Sequence, residues 1–144
     1  MVHRTERGGS LLTAGIATFA MYHLALAFFM ATAPHAFYEA VGPFGPANDH
    51  YVRDIATYNA ALAAGLGVAT GRESWRVPVL TVTTLQFALH TVNHLVDIGN
   101  ADPHWTGYFD FISLALATLL LALLLSAARA RARSLPSDPQ GGMR

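Results

Sequence analysis

The chain has 144 residues, of which 53% are hydrophobic and only 12% are charged, and its formal net charge at pH 7 is zero. A soluble domain usually carries about 25% charged residues, so this composition favours a membrane protein. The sequence contains no cysteine, which excludes disulfides, thiolate nucleophiles and cysteine-ligated metal centres. It has no basic patch of the kind that binds nucleic acid, and we expect no such partner.

Four apolar blocks follow one another along the chain. They span residues 11–33, 55–70, 77–96 and 111–128. A membrane-spanning helix needs about 20 residues, and the second block reaches this length only if its helix begins near Tyr51. The sequence therefore predicts an all-α fold, an integral membrane four-helix bundle over residues 11–128.

Two segments flank this predicted domain. Residues 1–10 precede the first block, which is longer than the apolar core of a signal peptide, so we expect the block to be retained as a helix. Residues 129–144 are rich first in arginine and then in Pro, Ser and Gly, a composition that predicts a disordered tail.

The basic residues indicate an orientation in the membrane. All nine are arginine, and eight of them lie before block 1, between blocks 2 and 3, or after block 4. Only Arg53 falls on the other side. Because cytoplasmic segments of membrane proteins are enriched in Lys and Arg, this asymmetry predicts a multi-pass plasma-membrane protein with both termini in the cytoplasm.

Polar side chains end the third block, in the segment HTVNHLVD at residues 90–97. Ionisable groups inside a membrane are costly and mark a functional site by default. In the predicted topology, the end of helix 3 and the start of helix 2 lie on the same outer side, so His90, His94 and Asp97 share their depth with His50 and Asp54.

These five side chains form a set of nitrogen and oxygen ligands. His50 and Asp54 are four residues apart, as are His90 and His94, so each pair lies on one helix face. Such a set suits zinc, copper, iron or manganese. Since helices 2 and 3 are expected to be antiparallel neighbours, we predict that all five residues converge on one metal centre.

Other interpretations of the same residues remain open. Asp97 lies near a helix C-terminus, where a carboxylate needs a nearby cation, and Arg53 could supply it instead of a metal. The cluster would then be a structural or proton-handling polar network, and a pocket for an organic ligand is a third interpretation. His23 could ligate a haem, but a buried histidine with satisfied hydrogen bonds is the preferred interpretation.

The segments PHAFY, GPFGPANDHYVRD and HTVNHLVD resemble a group of small four-helix actinobacterial membrane proteins of unknown function that are loosely DoxX-like. The resemblance covers residues 11–128. It rests on Pro34, Phe37, Tyr38, Gly42, Pro43, Asn48, His50, Arg53, Asp54, His90, Asn93, His94 and Asp97. It implies the four-helix fold but no established reaction. DoxX-type proteins are linked to membrane thiol and quinone redox chemistry, and the absence of cysteine argues against a thiol role here.

We therefore expect an outer-side His/Asp transition-metal site in a membrane protein. If the protein is an enzyme, His90, His94 and Asp97 resemble a two-His-one-carboxylate triad of an oxidoreductase with a lipid-soluble substrate, and His50 and Asp54 form a second site or orient the ligands. The alternative is a non-enzymatic membrane subunit or a quinone- or lipid-binding protein. Expected partners are membrane lipid and a hydrophobic small molecule. The sequence leaves open the metal, any turnover, and whether the chain forms a homo-oligomer.

Overall fold

The computed structural model describes residues 2–134 of the chain, and their side chains from residue 9 onward. Within this range the chain forms five helices and no extended strand, which confirms the all-α prediction. The helices are α1 (Val2–Thr32), α2 (Pro34–Ala40), α3 (Asp49–Gly71), α4 (Glu73–Val96) and α5 (His104–Ser134).

Each of the four long helices matches one apolar block and extends beyond it at one or both ends. Helix α3 begins at Asp49, as its predicted early start near Tyr51 requires. Helix α5 continues to Ser134, so the prediction of a disordered tail from residue 129 is wrong for residues 129–134. The alternating Ala and Arg of this segment are strong helix formers, which explains the extension. The rest of the predicted tail, 135–144, lies outside the described residues.

A proline marks the start of α2, and a side-chain cap sets the start of α3. Pro34 occupies the first turn of α2, where its missing N–H removes no helical hydrogen bond. Asn48 caps α3, and its side-chain oxygen accepts hydrogen bonds from the backbone N–H groups of His50 and Tyr51 at 3.1 and 3.2 Å. This cap places His50 in the first turn of α3.

The long helices form a closed ring of neighbours. Helix α1 packs along α3, α3 contacts α4, α4 packs along α5, and α5 returns to α1. Consecutive long helices run antiparallel, so two ends can be distinguished. The arginine end carries Arg72, Arg76, Arg129, Arg131 and Arg133; the histidine end carries His35, His50, His90, His94 and His104.

The apolar core fills the arginine-end half of the molecule. It consists of Leu12, Ile16, Leu66, Ala69, Leu80, Phe87, Leu121, Leu125 and Ala128. Towards the histidine end, buried polar side chains such as His23 and Asn59 occur beside the buried apolar Ala27, Met30 and Ala56. The interior therefore becomes more polar towards this end.

Large apolar side chains also cover the outside of the helices. On α4 and α5 the exposed ones include Val82, Leu85, Leu89, Val92, Leu95, Leu116, Leu119, Leu120 and Leu123. Among the described residues, two helical segments are long and apolar enough to cross a membrane, Gly9–Thr32 and His104–Ser134. Helices α3 and α4 are of similar length but carry more polar side chains, so membrane association is supported most directly for α1 and α5.

A buried arginine connects the helices at the arginine end. The Arg76 guanidinium of α4 donates to the backbone carbonyls of Ala69 and Thr70, at 3.2 and 3.4 Å, and to the Thr13 hydroxyl of α1 at 3.1 Å. The two carbonyls are at the C-terminus of α3, where the helix dipole favours a positive charge. Arg76 therefore joins α1, α3 and α4.

The same cluster extends to α5 through Glu73. One carboxylate oxygen of Glu73 accepts from Arg76 Nη1 at 3.2 Å and from Arg131 Nε at 3.0 Å. The Arg76 side chain is 10% exposed, whereas those of Glu73 and Arg131 are 43% and 40% exposed. Only Arg76 is therefore well shielded from solvent, and its interactions should contribute most to stability.

We expect Arg76→Gln to lower the free energy of unfolding by about 3–5 kcal/mol, because it leaves buried acceptors without a partner. Arg131→Gln serves as the matched control and should cost about 0–1 kcal/mol, since its ion pair is partly solvated. Reversible unfolding in mixed detergent micelles measures both. Equal losses in the two variants would contradict the central role of Arg76.

Candidate functional site

Two histidines of α4 face each other at the histidine end. The Nε2 atoms of His90 and His94 lie 3.0 Å apart, so one imidazole donates a hydrogen bond to the other. His94 is about five turns from the buried Arg76 and continues the same interior face of α4. His90 lies on the flank of this face and is exposed, whereas His94 is half-buried.

Gln86 extends this pair into a short chain of hydrogen bonds. The amide nitrogen of Gln86 lies 3.4 Å from Nδ1 of His90 and donates to it. His90 then carries its proton on Nε2 and donates to Nε2 of His94, whose own proton must be on Nδ1. That Nδ1 is buried and has no partner among the described residues.

The loop between α2 and α3 covers His94. The ring of Phe44 packs edge-on against the His94 imidazole, with a centroid distance of 4.9 Å. The backbone of Phe44 pairs with that of Ala101, and the N–H of Asp102 donates to the carbonyl of Pro43 at 3.3 Å. The connection between α4 and α5 therefore holds this loop over the imidazole.

His50 and Asp54 form a separate pair on α3. Nε2 of His50 lies 3.5 Å from a carboxylate oxygen of Asp54, and the two side chains are 78% and 63% exposed. The buried face of α3 is formed by Ala56, Asn59, Leu62, Ala63, Leu66 and Ala69. At 100° per residue, His50 and Asp54 fall on the opposite face. They point outward because the apolar face of α3 sets the rotation of the helix.

Asp97 ends α4 and interacts locally. Its Oδ1 accepts a hydrogen bond from the Asn100 side chain at 2.9 Å. Among residues 9–134, no ion pair joins Asp97 to Arg53, so the sequence-based alternative of an Arg53–Asp97 bridge is not found. The negative charge at this helix end is instead partly offset by the Asn100 amide.

The five predicted ligands are thus brought together as two pairs and a separate carboxylate. In the described part of the chain, no group of three or more His, Cys, Asp or Glu residues is placed to hold a metal ion. The predicted single centre of His50, Asp54, His90, His94 and Asp97 is therefore not assembled. Residue spacing gave each pair correctly, but it could not give the rotation of α3 relative to α4.

His23 is a buried polar residue whose hydrogen bonding is only half satisfied. Its Nδ1–H donates to the Asn59 side-chain oxygen at 2.7 Å, while its Nε2 is buried without a partner in the described residues. Its ring packs edge-on against Phe87 of α4 at a centroid distance of 5.5 Å. The expectation of a fully satisfied buried histidine therefore holds for one ring nitrogen only.

Asp110 is a functional candidate that the sequence-based ligand set omits. It is about five turns from the buried Ala128 and so lies on the interior face of α5. The hydroxyls of Thr91 and Thr118 are 3.0 Å apart, and Gly107 packs against the Ile98 carbonyl. This antiparallel pairing places Asp110 at about the depth of His94.

The surroundings of Asp110 leave its carboxylate partly unsatisfied. Its Oδ2 is buried without a hydrogen-bond partner among residues 9–134. Because apolar residues occur on every face of α5, no signal in the sequence identifies Asp110 as an interior residue.

Buried atoms without a partner are concentrated in one region. Within residues 9–134 they are His23 Nε2, Gln86 Oε1, His94 Nδ1 and Asp110 Oδ2. They belong to α1, α4 and α5. His94 and Asp110 lie beyond the apolar core towards the histidine end, whereas His23 and Gln86 lie at the level of the core residue Phe87. Since unpaired buried polar groups cost free energy, this region is suited to hold a polar ligand.

The comparisons with known proteins provide no template for this region. The resemblance to small DoxX-like membrane proteins therefore stays a prediction, and function has to be inferred from the geometry of the site. No protein-family model, curated protein or solved structure matches this chain.

Proposed function

We propose that the protein is an integral membrane four-helix bundle with both termini in the cytoplasm. The support is the exposed apolar surface of its long helices, which a membrane would cover, together with the restriction of nearly all arginines to one end. The histidine end then faces the outer side of the plasma membrane.

The absence of cysteine allows a direct test of this orientation. Ala47→Cys introduces a thiol at the histidine end, and Ser74→Cys introduces one at the arginine end; both positions are exposed. On intact cells, a membrane-impermeant maleimide should label only the first variant, and both should react after permeabilisation. Labelling of both variants on intact cells, or only of Ser74→Cys, would contradict the orientation.

The function that the geometry supports best is binding of a transition-metal ion by His90 and His94. The observation that carries this proposal is the 3.0 Å separation of their Nε2 atoms. Zinc–nitrogen bonds are about 2.0–2.1 Å long, so two imidazole ligands of one tetrahedral ion have nitrogens about 3.3 Å apart. A metal ion could therefore replace the shared proton with a small movement of the rings.

Gln86 is placed to support such a site. With a metal ion on both Nε2 atoms, His90 would carry its proton on Nδ1 and would need an acceptor for it. The Gln86 side-chain oxygen is buried without a partner, and rotation of the amide by half a turn would bring it to His90 Nδ1. Gln86 would thus serve as a positioning residue for His90.

Two imidazoles leave coordination positions for further ligands. Asp97 and the unsatisfied carboxylate of Asp110 are the two acidic candidates, and either would give the two-His-one-carboxylate set common in oxygen-activating metal sites. A redox reaction on a lipid-soluble substrate is the activity that this ligand set would support. His50 and Asp54 belong to the exposed face of α3 and would not contact this ion.

A second candidate function is non-enzymatic binding of a hydrophobic molecule. A cavity of about 460 Å³ lies between α3 and α4, lined by small and apolar residues that include Ala61, Gly65, Pro78 and Val79. Its size is typical of small-molecule sites. This cavity favours a lipid- or quinone-binding protein, in which the histidine pair is part of a structural polar network.

Elemental analysis of protein purified without a histidine tag distinguishes the two functions. We expect about one transition-metal ion per chain in the wild type, and less than about a tenth of that occupancy in His94→Ala, which removes one of two imidazole ligands. His35→Ala is the matched control because His35 is an exposed histidine at the same end. It should retain the metal.

Gln86 provides a further arm of this experiment. Gln86→Leu should lower metal affinity about 10–100-fold, the usual effect of removing a group that orients a ligand, whereas Gln86→Glu should retain affinity because it keeps an acceptor. A wild-type protein without stoichiometric metal, or a His94→Ala variant with unchanged occupancy, would contradict the metal site and leave the hydrophobic-ligand function.

A further inference from the structure

A second cavity lies at the arginine end, far from the histidine pair. It has a volume of about 240 Å³ and lies, partly open to the outside, between α1, α4 and α5. Glu73, Ser74, Arg76 and Arg131 form its polar wall. Leu12, Ala128 and Ala132 form its apolar wall. The cavity is therefore amphipathic.

The polar wall carries an excess of positive charge. Two guanidinium groups share one carboxylate, because the same oxygen of Glu73 accepts from both Arg76 and Arg131. The net formal charge of these three side chains is therefore positive. Arg131 uses its Nε in this bond, and its Nη1 lies against Gly9 of α1, so the guanidinium is held between α4 and α1 at the cavity wall.

The positive charge of Arg76 is held in a fixed position. Its guanidinium is held by the carbonyl of Ala69 and the hydroxyl of Thr13, and its side chain is 10% exposed. A buried and fixed cation does not lose side-chain entropy when an anion binds, which strengthens binding relative to a mobile surface arginine. The hydroxyl of Ser74 adds a neutral donor to the same wall.

We propose that this cavity binds the phosphate oxyanion of an anionic phospholipid, with Arg131 as its principal ligand and Arg76 as the fixed positive charge behind it. Arginine forks match phosphate geometry, and basic pockets between transmembrane helices bind anionic headgroups on the cytoplasmic side. The apolar wall favours a lipid over free phosphate: Leu12 and Ala128 are buried within it, and the exposed Ala132 can contact an acyl chain. The inference rests on the proposed membrane orientation but not on the metal site.

The test compares lipid binding in nanodiscs or by native mass spectrometry. The full chain should retain phosphatidylglycerol in preference to phosphatidylcholine. Inorganic phosphate alone should bind more weakly than phosphatidylglycerol. Arg131→Gln should weaken phosphatidylglycerol binding about tenfold, as expected for loss of one charge-assisted hydrogen bond. Arg129→Gln, an exposed arginine on the same helix that does not line the cavity, should have no such effect.

A second variant separates ligand binding from structural support. Glu73→Gln removes the carboxylate that competes with the phosphate, so it should tighten phosphatidylglycerol binding. A purely structural role for the cluster predicts the reverse, because Glu73→Gln breaks both ion pairs. Equal effects of Arg129→Gln and Arg131→Gln, equal retention of the two lipids, or weaker binding by Glu73→Gln would overturn the proposal.

These outcomes can be told apart from a failure of the membrane proposal. The maleimide labelling of Ala47→Cys reports the orientation independently of the cavity, because Ala47 lies at the opposite end of the molecule. If inorganic phosphate binds the cavity as tightly as phosphatidylglycerol does, the cavity is an oxyanion site without lipid selectivity, and the lipid proposal is overturned.

Discussion

The guanidinium of Arg76 satisfies two acceptors that α3 leaves at its C-terminus, and it holds α1 and α4 at the same point. Such acceptors cannot be left unpaired in a low-dielectric interior. The short connection between α3 and α4 places Arg76 beside these carbonyls, so one side chain both ends a helix and fixes its neighbours. The packing of the apolar core begins directly next to this contact, at Ala69 and Leu80.

From this fixed end the interior divides into two parts. The arginine-end half is closed by apolar side chains, whereas the histidine-end half carries the imidazoles, amides and carboxylates whose hydrogen bonding is incomplete. A protein gains no stability from unpaired buried groups, so their concentration in one half is the observation on which the proposed ligand site rests. The apolar half supplies the rigidity that such a site needs.

The helices could be predicted from the sequence because each apolar block is long and separated from the next by polar or Gly/Pro-rich segments. The His90–His94 contact was also predictable, since residues four apart share a helix face. The way in which different helices face one another could not be predicted. His50 and Asp54 point away from α4 because the buried stripe through Asn59 and Leu66 determines the rotation of α3, and residue spacing does not indicate which of two polar stripes is buried.

Arg76 illustrates the same limit. In the sequence it is one of several arginines that indicate topology, and only the fold shows that it is buried against backbone carbonyls. The half-satisfied state of His23 likewise depends on its contact with Asn59, which is distant in the chain. Interactions within one helix follow from spacing, while those between helices depend on packing that a single sequence does not specify.

The cover that Phe44 forms over His94 has a consequence for how small molecules reach the imidazoles. A molecule arriving from the aqueous side must displace the Phe44 ring, and the backbone pairing of Phe44 with Ala101 couples that displacement to movement of the neighbouring connection. His90 has no such cover, because it lies exposed on the flank of α4. The pair is therefore more accessible laterally than from the end of the helices. In the proposed membrane orientation, molecules that partition into the bilayer would have the shorter route, and water-soluble ones would depend on the rate at which two loops open together.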